Sequence, residues 1–322
     1  MDISIIIPCY CSGKNIVNVV EEIKTILMEE KKSYEIILVN DGSPDNTYEI
    51  ISDIANQNNN TYAVDLAKNC GQHAAIMAGF KYAKGELIMT CEDDGQTQLS
   101  ILPHLIDKIN EGYDVAAPKY QDRGKRSLFR KLGTKCAILM GNWMIPRPKG
   151  MLVPIYFVAK KFVIKEILKY NQPFPYIEGL ILRSTFNIAL VDAKQNERLS
   201  GRSGYTLKKM IKLWLNGFTS FSIKPLRASV FLGILSSVVG ILVGIYIVIQ
   251  RLFNENIVSG WSSIIAVMLF MFGIVLLVLG MIGEYVGRIY LCINMSPQYV
   301  VRQVVCKNGV KEEGKENGEE NK

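Results

Sequence analysis

Residues 34–47 read YEIILVNDGSPDNT: a short apolar run that stops at Asn40-Asp41-Gly42-Ser43. Six residues, YEIILV (34–39), are too few for a helix, and an apolar run of that length bounded by turn residues is the pattern of a strand buried on both faces. Working outward, ISIIIP (3–8) repeats the pattern, and Ile16, Val19, Val20, Ile23 and Ile26 then recur at helical spacing. On the other side a helix is expected from about Asp45 to Asn56, then the strand YAVDL (62–66) and a helix from Gly71 to Tyr82. The strand ELIMTC (86–91), a helix from Leu99 to Ile109 and the strand YDVAA (113–117) complete the series. Strands alternating with helices predict an α/β fold with a mainly parallel sheet, Rossmann-like, and helices on both faces.

In such sheets ligands sit at the carboxyl ends of strands, near the switch in strand order. Pro8 and Tyr10 end the first strand, and Asp41 with Gly42 and Ser43 the second. Glu92-Asp93-Asp94-Gly95-Gln96 follows the fourth. The NDGS turn taken alone reads as a simple Asx or type I turn. Three adjacent acids are different, because their mutual repulsion destabilises the strand end unless a cation or ordered donors offset it. In extended chain the alternate residues Glu92, Asp94 and Gln96 point one way. Two carboxylates and an amide oxygen are hard ligands suited to Mg²⁺ or Mn²⁺, with positions left for diphosphate oxygens.

The remainder of the chain has another character. Ser229–Ile249 and Ser262–Gly283 are charge-free runs of 21 and 22 residues, each about the length needed to cross a hydrocarbon core. Lys208, Lys209, Lys212, Lys224 and Arg227 precede the first run, and Arg288, Arg302 and Lys307 follow the second. Between them stand only Arg251 and Glu255, which predicts two spans with both termini in the cytoplasm. Leu207, Met210, Ile211, Trp214, Phe218 and Phe221 recur at helical spacing, the pattern of a helix lying in the membrane interface or packed on the domain. Nine Lys or Arg against one Asp between 119 and 149, interleaved with apolar residues, read as a second membrane-facing segment, and no nucleic-acid partner is expected. The organisation expected is a catalytic domain (1–204), a juxtamembrane helix (205–228), spans at 229–250 and 262–283, a cytoplasmic return segment (284–306) and a disordered tail (307–322). Gly233, Gly240 and Gly244 in the first span permit the close packing of a homo-oligomer. Seven cysteines without a paired spacing imply reduced thiols, two histidines make a His-based zinc site an unpromising reading, and no secretory signal is read at the start.

SIIIPCY, EIILVNDGSPDNT, NCGQHAAIMAGF, EDDGQ, RSGYTLKKMIKLWLNGFTSFSIKPLR and GEYVGRIY stand in this order along the chain. The set resembles family-two glycosyltransferases with a GT-A fold, in the polyprenyl-phosphate glycosyltransferase branch related to dolichol-phosphate mannose synthase. The resemblance implies an inverting enzyme that moves a sugar from a UDP- or GDP-sugar to a polyprenyl phosphate at the cytoplasmic membrane face. It implies that Pro8, Tyr10, Asp41, Gly71, Gln72 and Asp93 surround the nucleotide. It further implies that Glu92, Asp94 and Gln96 hold a divalent metal, with Glu92 in place of the family's first Asp. Arg198, Arg202 and Ser203 match a loop that closes over the diphosphate, a task suited to the planar guanidinium fork.

Two positions depart from the branch, both in the acceptor half. Tyr156 stands where an Arg is usual, and Glu178 in YIEGL stands where a basic residue is common. A lipid monophosphate is largely ionised at neutral pH and needs no strong base. A sugar hydroxyl does need one, and Glu178 is the candidate; the alternative for Glu178 is a surface acid favoured by a helix N-terminus. Two enzymatic readings thus stand, with a lipid phosphate or a lipid-linked saccharide hydroxyl as acceptor. A reading from another class is a catalytically silent membrane scaffold that binds nucleotide.

Overall fold

The apolar runs that open the chain form the centre of a nine-stranded sheet. The structure, a computed structural model, describes residues 1–95, 97–120, 153–193, 224–253, 261–294, 296–307 and 309–311. The elements run β1 (Ile3–Cys9), α1 (Ile16–Glu29), β2 (Tyr34–Asn40), α2 (Thr47–Gln57), β3 (Thr61–Leu66), α3 (Gln72–Tyr82), β4 (Leu87–Thr90), a 3-10 turn (Leu99–Ile101), α4 (Leu102–Asn110) and β5 (Val115–Tyr120). Then follow β6 (Phe157–Lys160), α5 (Lys161–Leu168), α6 (Ile177–Ser184), β7 (Ile188–Ala193), α7 (Lys224–Phe253), α8 (Trp261–Ile293), β8 (Val301–Cys306) and β9 (Gly309–Lys311).

The strand order is β7-β5-β6-β4-β1-β2-β3-β8-β9. β1, β2, β3 and β4 are mutually parallel where they pair, whereas β6 and β8 run antiparallel to their neighbours. The sheet is therefore mixed. Chain order reverses at β1, which lies between β2 and β4, so the ligand crevice is expected at the carboxyl ends of these three strands.

Alternation within the buried strands assigns side chains to two faces. Ile3, Ile5, Ile7, Ile36 and Leu38 pack in one core with Val19, Ile23 and Leu27 of α1 and Leu102, Leu105 and Ile109 of α4. The opposite face meets α3, where a Cβ on Gly79 would lie 2.4 Å from Ile6 Cγ2 and 3.2 Å from Val39 Cγ2. Only a glycine lets α3 approach that closely. Each fully buried Ile, Leu or Val contributes about 1.5–3 kcal/mol, so this double coverage is what holds the strand ends in place. Pro8 is tolerated in a central strand because β4 pairs only as far as Ile6. Its missing N–H falls beyond the ladder on that side.

The chain divides into two units, Met1–Thr206 with Met295–Lys322, and Leu207–Asn294. In the second, α7 has 30 residues and α8 has 33. Among the described residues one segment, Phe270–Ile293 with mean hydropathy 2.0, is long and apolar enough to cross a membrane; the apolar part of α7, Ser229–Leu242, is shorter. One helical segment thus meets the criterion, against two expected.

The return segment is more than a tether. β8 pairs antiparallel with β3, and β9 pairs with β8. Gly309–Lys311 therefore form an edge strand where the composition from 307 onward predicted disorder. Val304, Val305 and Cys306 are buried and cover what would otherwise be an open edge of β3. The basic run at 121–149 and most of the juxtamembrane helix lie outside the described residues.

Candidate active site

Loops from β1 and β4 meet over the switch point through Asp93. Its Oδ2 accepts the Tyr10 N–H at 3.2 Å and the Ser12 hydroxyl. Burial pushes the Asp93 carboxyl up, and the Ser12 hydroxyl and Tyr10 amide pull it partly back. Cys11, between them, is left-handed at φ 55°, so the chain turns sharply and leaves Tyr10 half exposed at the crevice. The Ser12 and Gly13 amides donate to Thr47 Oγ1 at 2.8 and 3.1 Å, and the Thr47 hydroxyl donates to Asp45 Oδ1 at 2.6 Å. Ser12, Asp45 and Thr47 are polar supports that sequence reasoning did not single out. Their only signal is hydroxyl and carboxylate side chains directly after strands.

Asp41 fastens the β2 and β3 ends together. Its backbone N–H continues the ladder to Cys9 O at 2.9 Å. Oδ1 accepts the Cys70 N–H at 2.7 Å, and Oδ2 the Gly71 N–H at 2.9 Å. Burial raises this carboxyl, and the two amides offset part of the rise. Asn69 Nδ2 donates to Asp41 O at 3.1 Å. The neighbouring Gly42 has φ 60°, and a Cβ there would stand 2.6 Å from Asn69 N and 2.7 Å from Lys68 C. The NDGS segment is thus a turn whose acid and glycine both fit one neighbouring loop. Each carboxylate oxygen retains a lone pair, so Asp41 keeps acceptor capacity toward a ligand.

Glu92 and Asp94 flank Asp93 and act in another direction. Burial first, and then the charges of Glu92 and Asp94, raise the Tyr120 hydroxyl far above its ordinary value. Asp93 is committed to the β1 loop, while the charges of its two neighbours reach Tyr120 at the end of β5. Among the described residues no group of three or more His, Cys, Asp or Glu is disposed to hold a metal. The carboxylates of Glu92 and Asp94 are hard oxygen donors of the kind an octahedral cation takes while it keeps most of its coordination for water and phosphate oxygens. The donor set present fits Mg²⁺ or Mn²⁺ in that manner.

The start of α6 meets α3 through His73, a residue that no motif singles out. His73 Nδ1 accepts the Ile177 N–H at 3.4 Å, and its ring meets Tyr176 edge-on at 5.4 Å between centroids. The Tyr176 hydroxyl donates to Glu178 Oε2, in the first turn of α6. The start of α6 is thereby tied to the first turn of α3. Burial lowers the His73 pKa from 6.5 to about 4. Between these values the unfolded chain binds a proton that the folded one does not, so stability present above pH 6.5 is lost as pH falls toward 4. By pH 5 the loss from His73 amounts to about 2 kcal/mol. Thermal unfolding between pH 7.5 and 5 should therefore fall more steeply for the wild type than for His73→Asn, which keeps an acceptor and cannot titrate. Equal slopes would contradict this.

Tyr156 is 1% exposed, with its hydroxyl buried and unpartnered. Burial, then the neighbouring Cys91 and Tyr120, hold it well above its ordinary pKa. It fills core space. Pro8 is buried in β1. Gln96, Arg198, Arg202 and Ser203 lie outside the described residues.

The sequence pattern of the family described as "Glycosyl transferase family 2" matches residues 4–168, which span every strand end considered above. The chain is 32% identical to the uncharacterized glycosyltransferase YkcC of Bacillus subtilis (strain 168), over 93% of both chains. It is 31% identical to the undecaprenyl-phosphate 4-deoxy-4-formamido-L-arabinose transferase of Proteus mirabilis (strain HI4320), over 99% of this chain and 97% of that one. Among solved structures, glucosyl-3-phosphoglycerate synthase from Mycobacterium tuberculosis has a TM-score of 0.49 at 17% identity, covering 66% of this chain and 76% of that one. The match through the catalytic half, joined by relatives aligned across nearly the full length, establishes that this chain is a glycosyltransferase of family 2.

Proposed function

We propose that the protein transfers one sugar from a nucleotide sugar to a polyprenyl phosphate at the cytoplasmic face of the membrane, with inversion at the anomeric carbon. The observation that carries this reading is the near full-length alignment, through both long helices, with relatives named as undecaprenyl-phosphate sugar transferases. A relative alike only in the nucleotide half would say little about the acceptor.

In this reading the nucleoside rests against Tyr10 and the Asp41-held loop at Gly71 and Gln72. Glu92, Asp94 and Gln96 hold a divalent cation. Mg²⁺ or Mn²⁺ there supplies positive charge where the nucleoside diphosphate leaves. Arg198, Arg202 and Ser203 close over the diphosphate. The lipid phosphate attacks as an oxyanion from the opposite side, so no side chain takes up a proton. Two spans, within α7 and α8, anchor the enzyme with both termini cytoplasmic, and the 205–228 segment lies in the interface, where a lipid acceptor meets a polar donor. Gly233, Gly240 and Gly244 support a homo-oligomer.

A second reading gains some support from the Tyr176–Glu178 bond, which orients a carboxylate beside the Tyr176 ring that meets His73 of α3. There Glu178 is the base for a lipid-linked saccharide hydroxyl. Glu178→Gln separates the two. With undecaprenyl phosphate as acceptor and a panel of UDP- and GDP-sugars, the proposed reading gives a kcat within about threefold of wild type, because no base is needed. General-base catalysis is worth about 10²–10⁴, so a loss of that size would transfer support to the hydroxyl acceptor.

A further inference from the structure

The strand that follows the second long helix reaches the loops of the donor site by side-chain bonds that the mechanism above does not use. Arg302 of β8 donates from Nη1 to Asp65 Oδ2 at 3.0 Å and from Nη2 to Ala67 O at 3.1 Å. Val300 O accepts the Ala67 N–H at 2.8 Å. Asp65 is buried, and its other oxygen, Oδ1, accepts Asn40 Nδ2 at 2.7 Å. Asn40 Oδ1 in turn accepts the Ser43 N–H at 3.1 Å, and Ser43 Oγ accepts the Cys11 N–H at 3.2 Å. One guanidinium therefore stands at the head of two paths. The first runs through Asp65, Asn40 and Ser43 to the β1 loop. The second runs through Ala67 to the 67–71 loop, whose Cys70 and Gly71 amides Asp41 holds.

We propose that Arg302 is a positioning residue for the donor nucleotide, so that the segment after the membrane helices completes the donor site. The inference rests on the reading of these strand ends as a nucleotide site. Its physical basis is the fork. A planar guanidinium satisfies a buried carboxylate and a loop carbonyl together, in fixed directions, which an ammonium does not. The buried Asp65 also needs a partner, and without Arg302 its charge is left facing Asn40 alone. Asn40 then loses its fixed orientation, and with it the acceptor for the Ser43 amide. Among the described residues, no other strand approaches both loops from outside, because β3 is flanked by β2 and β8.

Gln303 provides an internal comparison. It neighbours Arg302 on β8, but its side chain donates to Tyr48 OH at 2.6 Å, on α2, rather than to the 41–43 or 67–71 segment. The test uses the full chain in detergent micelles with Arg302→Ala, Arg302→Lys and Gln303→Ala. Binding of UDP and of GDP is measured by calorimetry with Mg²⁺, and amide exchange is followed by mass spectrometry without nucleotide. The expected result for Arg302→Ala is a Kd weakened at least about tenfold, and faster exchange confined to 41–43 and 67–71. Arg302→Lys recovers affinity only in part, because it keeps the charge toward Asp65 and gives up the Ala67 bond, so exchange returns toward wild type at 41–43 and stays fast at 67–71. Gln303→Ala leaves both readouts at wild-type values. In turnover, Arg302→Ala raises the donor KM with kcat held within about twofold. Unchanged exchange at 67–71 in Arg302→Ala overturns the proposal, as does an equal effect of Gln303→Ala. If wild type binds neither nucleotide, the donor-site reading fails, and the exchange pattern still decides whether Arg302 orders these loops.

Discussion

Replacing Asp94 by alanine should abolish sugar transfer, with kcat lowered at least about a thousandfold, while the melting temperature stays within a few degrees of wild type. The size of the effect follows from the leaving group. A nucleoside diphosphate departs with charge developing on its bridging and terminal oxygens, and loss of the group that holds the countercharge removes stabilisation made only in the transition state. The small effect on stability follows from geometry. Asp93 carries bonds to Ser12 and Tyr10 that tie the β4 end to the β1 loop, whereas Asp94 is partly buried and its charge acts on Tyr120. Removing one of two adjacent acids also relieves repulsion, since the Asp94 charge raises the pKa of Asp93. Initial rates across a Mg²⁺ and Mn²⁺ titration, with a parallel melting curve, check the prediction. Wild-type turnover in Asp94→Ala would remove the metal site at this position.

Asp41→Ala should fail in the opposite manner, through the architecture. Both carboxylate oxygens accept backbone amides of another loop, at 2.7 and 2.9 Å, and the residue is 3% exposed. Alanine leaves the Cys70 and Gly71 N–H groups without these acceptors and opens a small void between β2 and the loop. Bonds to a charged acceptor are worth about 1.5–3 kcal/mol each, and the effects overlap, so a loss of about 2–4 kcal/mol is expected. For a domain of this size that corresponds to a melting temperature lower by about 5–12 °C. The donor KM should rise at least about tenfold, because the 67–71 loop no longer has a single position. Asp41→Asn should be intermediate, as one oxygen remains and the amide NH₂ faces a donor. A melting temperature and KM equal to wild type in Asp41→Ala would show that the loop is held by other contacts.

The first five strands were legible because each is an apolar run ended by turn residues, and such runs are buried wherever they lie. β6, Phe157–Lys160, has four residues and no alternation, so nothing local distinguishes it from a loop. β8 was hidden for another reason. Its pairing with β3 joins residues far apart, Arg302 and Asp65 being separated by 237 positions, and composition carries no trace of such a partner. The site shows the same division. The acidic cluster at 92–94 was readable, and the charges of Glu92 and Asp94 both raise the Tyr120 hydroxyl. The assignment of Asp93 to the nucleotide overlooked what its buried oxygen does, because the Ser12 bond depends on the turn at Cys11 and on strand order. His73 was passed over for a similar reason. Its function in the fold is to accept one amide from a segment a hundred residues later, which no motif records.

The most direct measurement is of the product of the proposed transfer. Purified full-length protein in detergent is given undecaprenyl phosphate, a panel of UDP- and GDP-sugars, and Mg²⁺ or Mn²⁺, and lipid extracts are analysed by mass spectrometry. The account predicts a polyprenol carrying one sugar through a single phosphate, formed with one donor of the panel and lost with chelator. Slow, metal-dependent donor hydrolysis with the lipid phosphate left unmodified across the whole panel would contradict it.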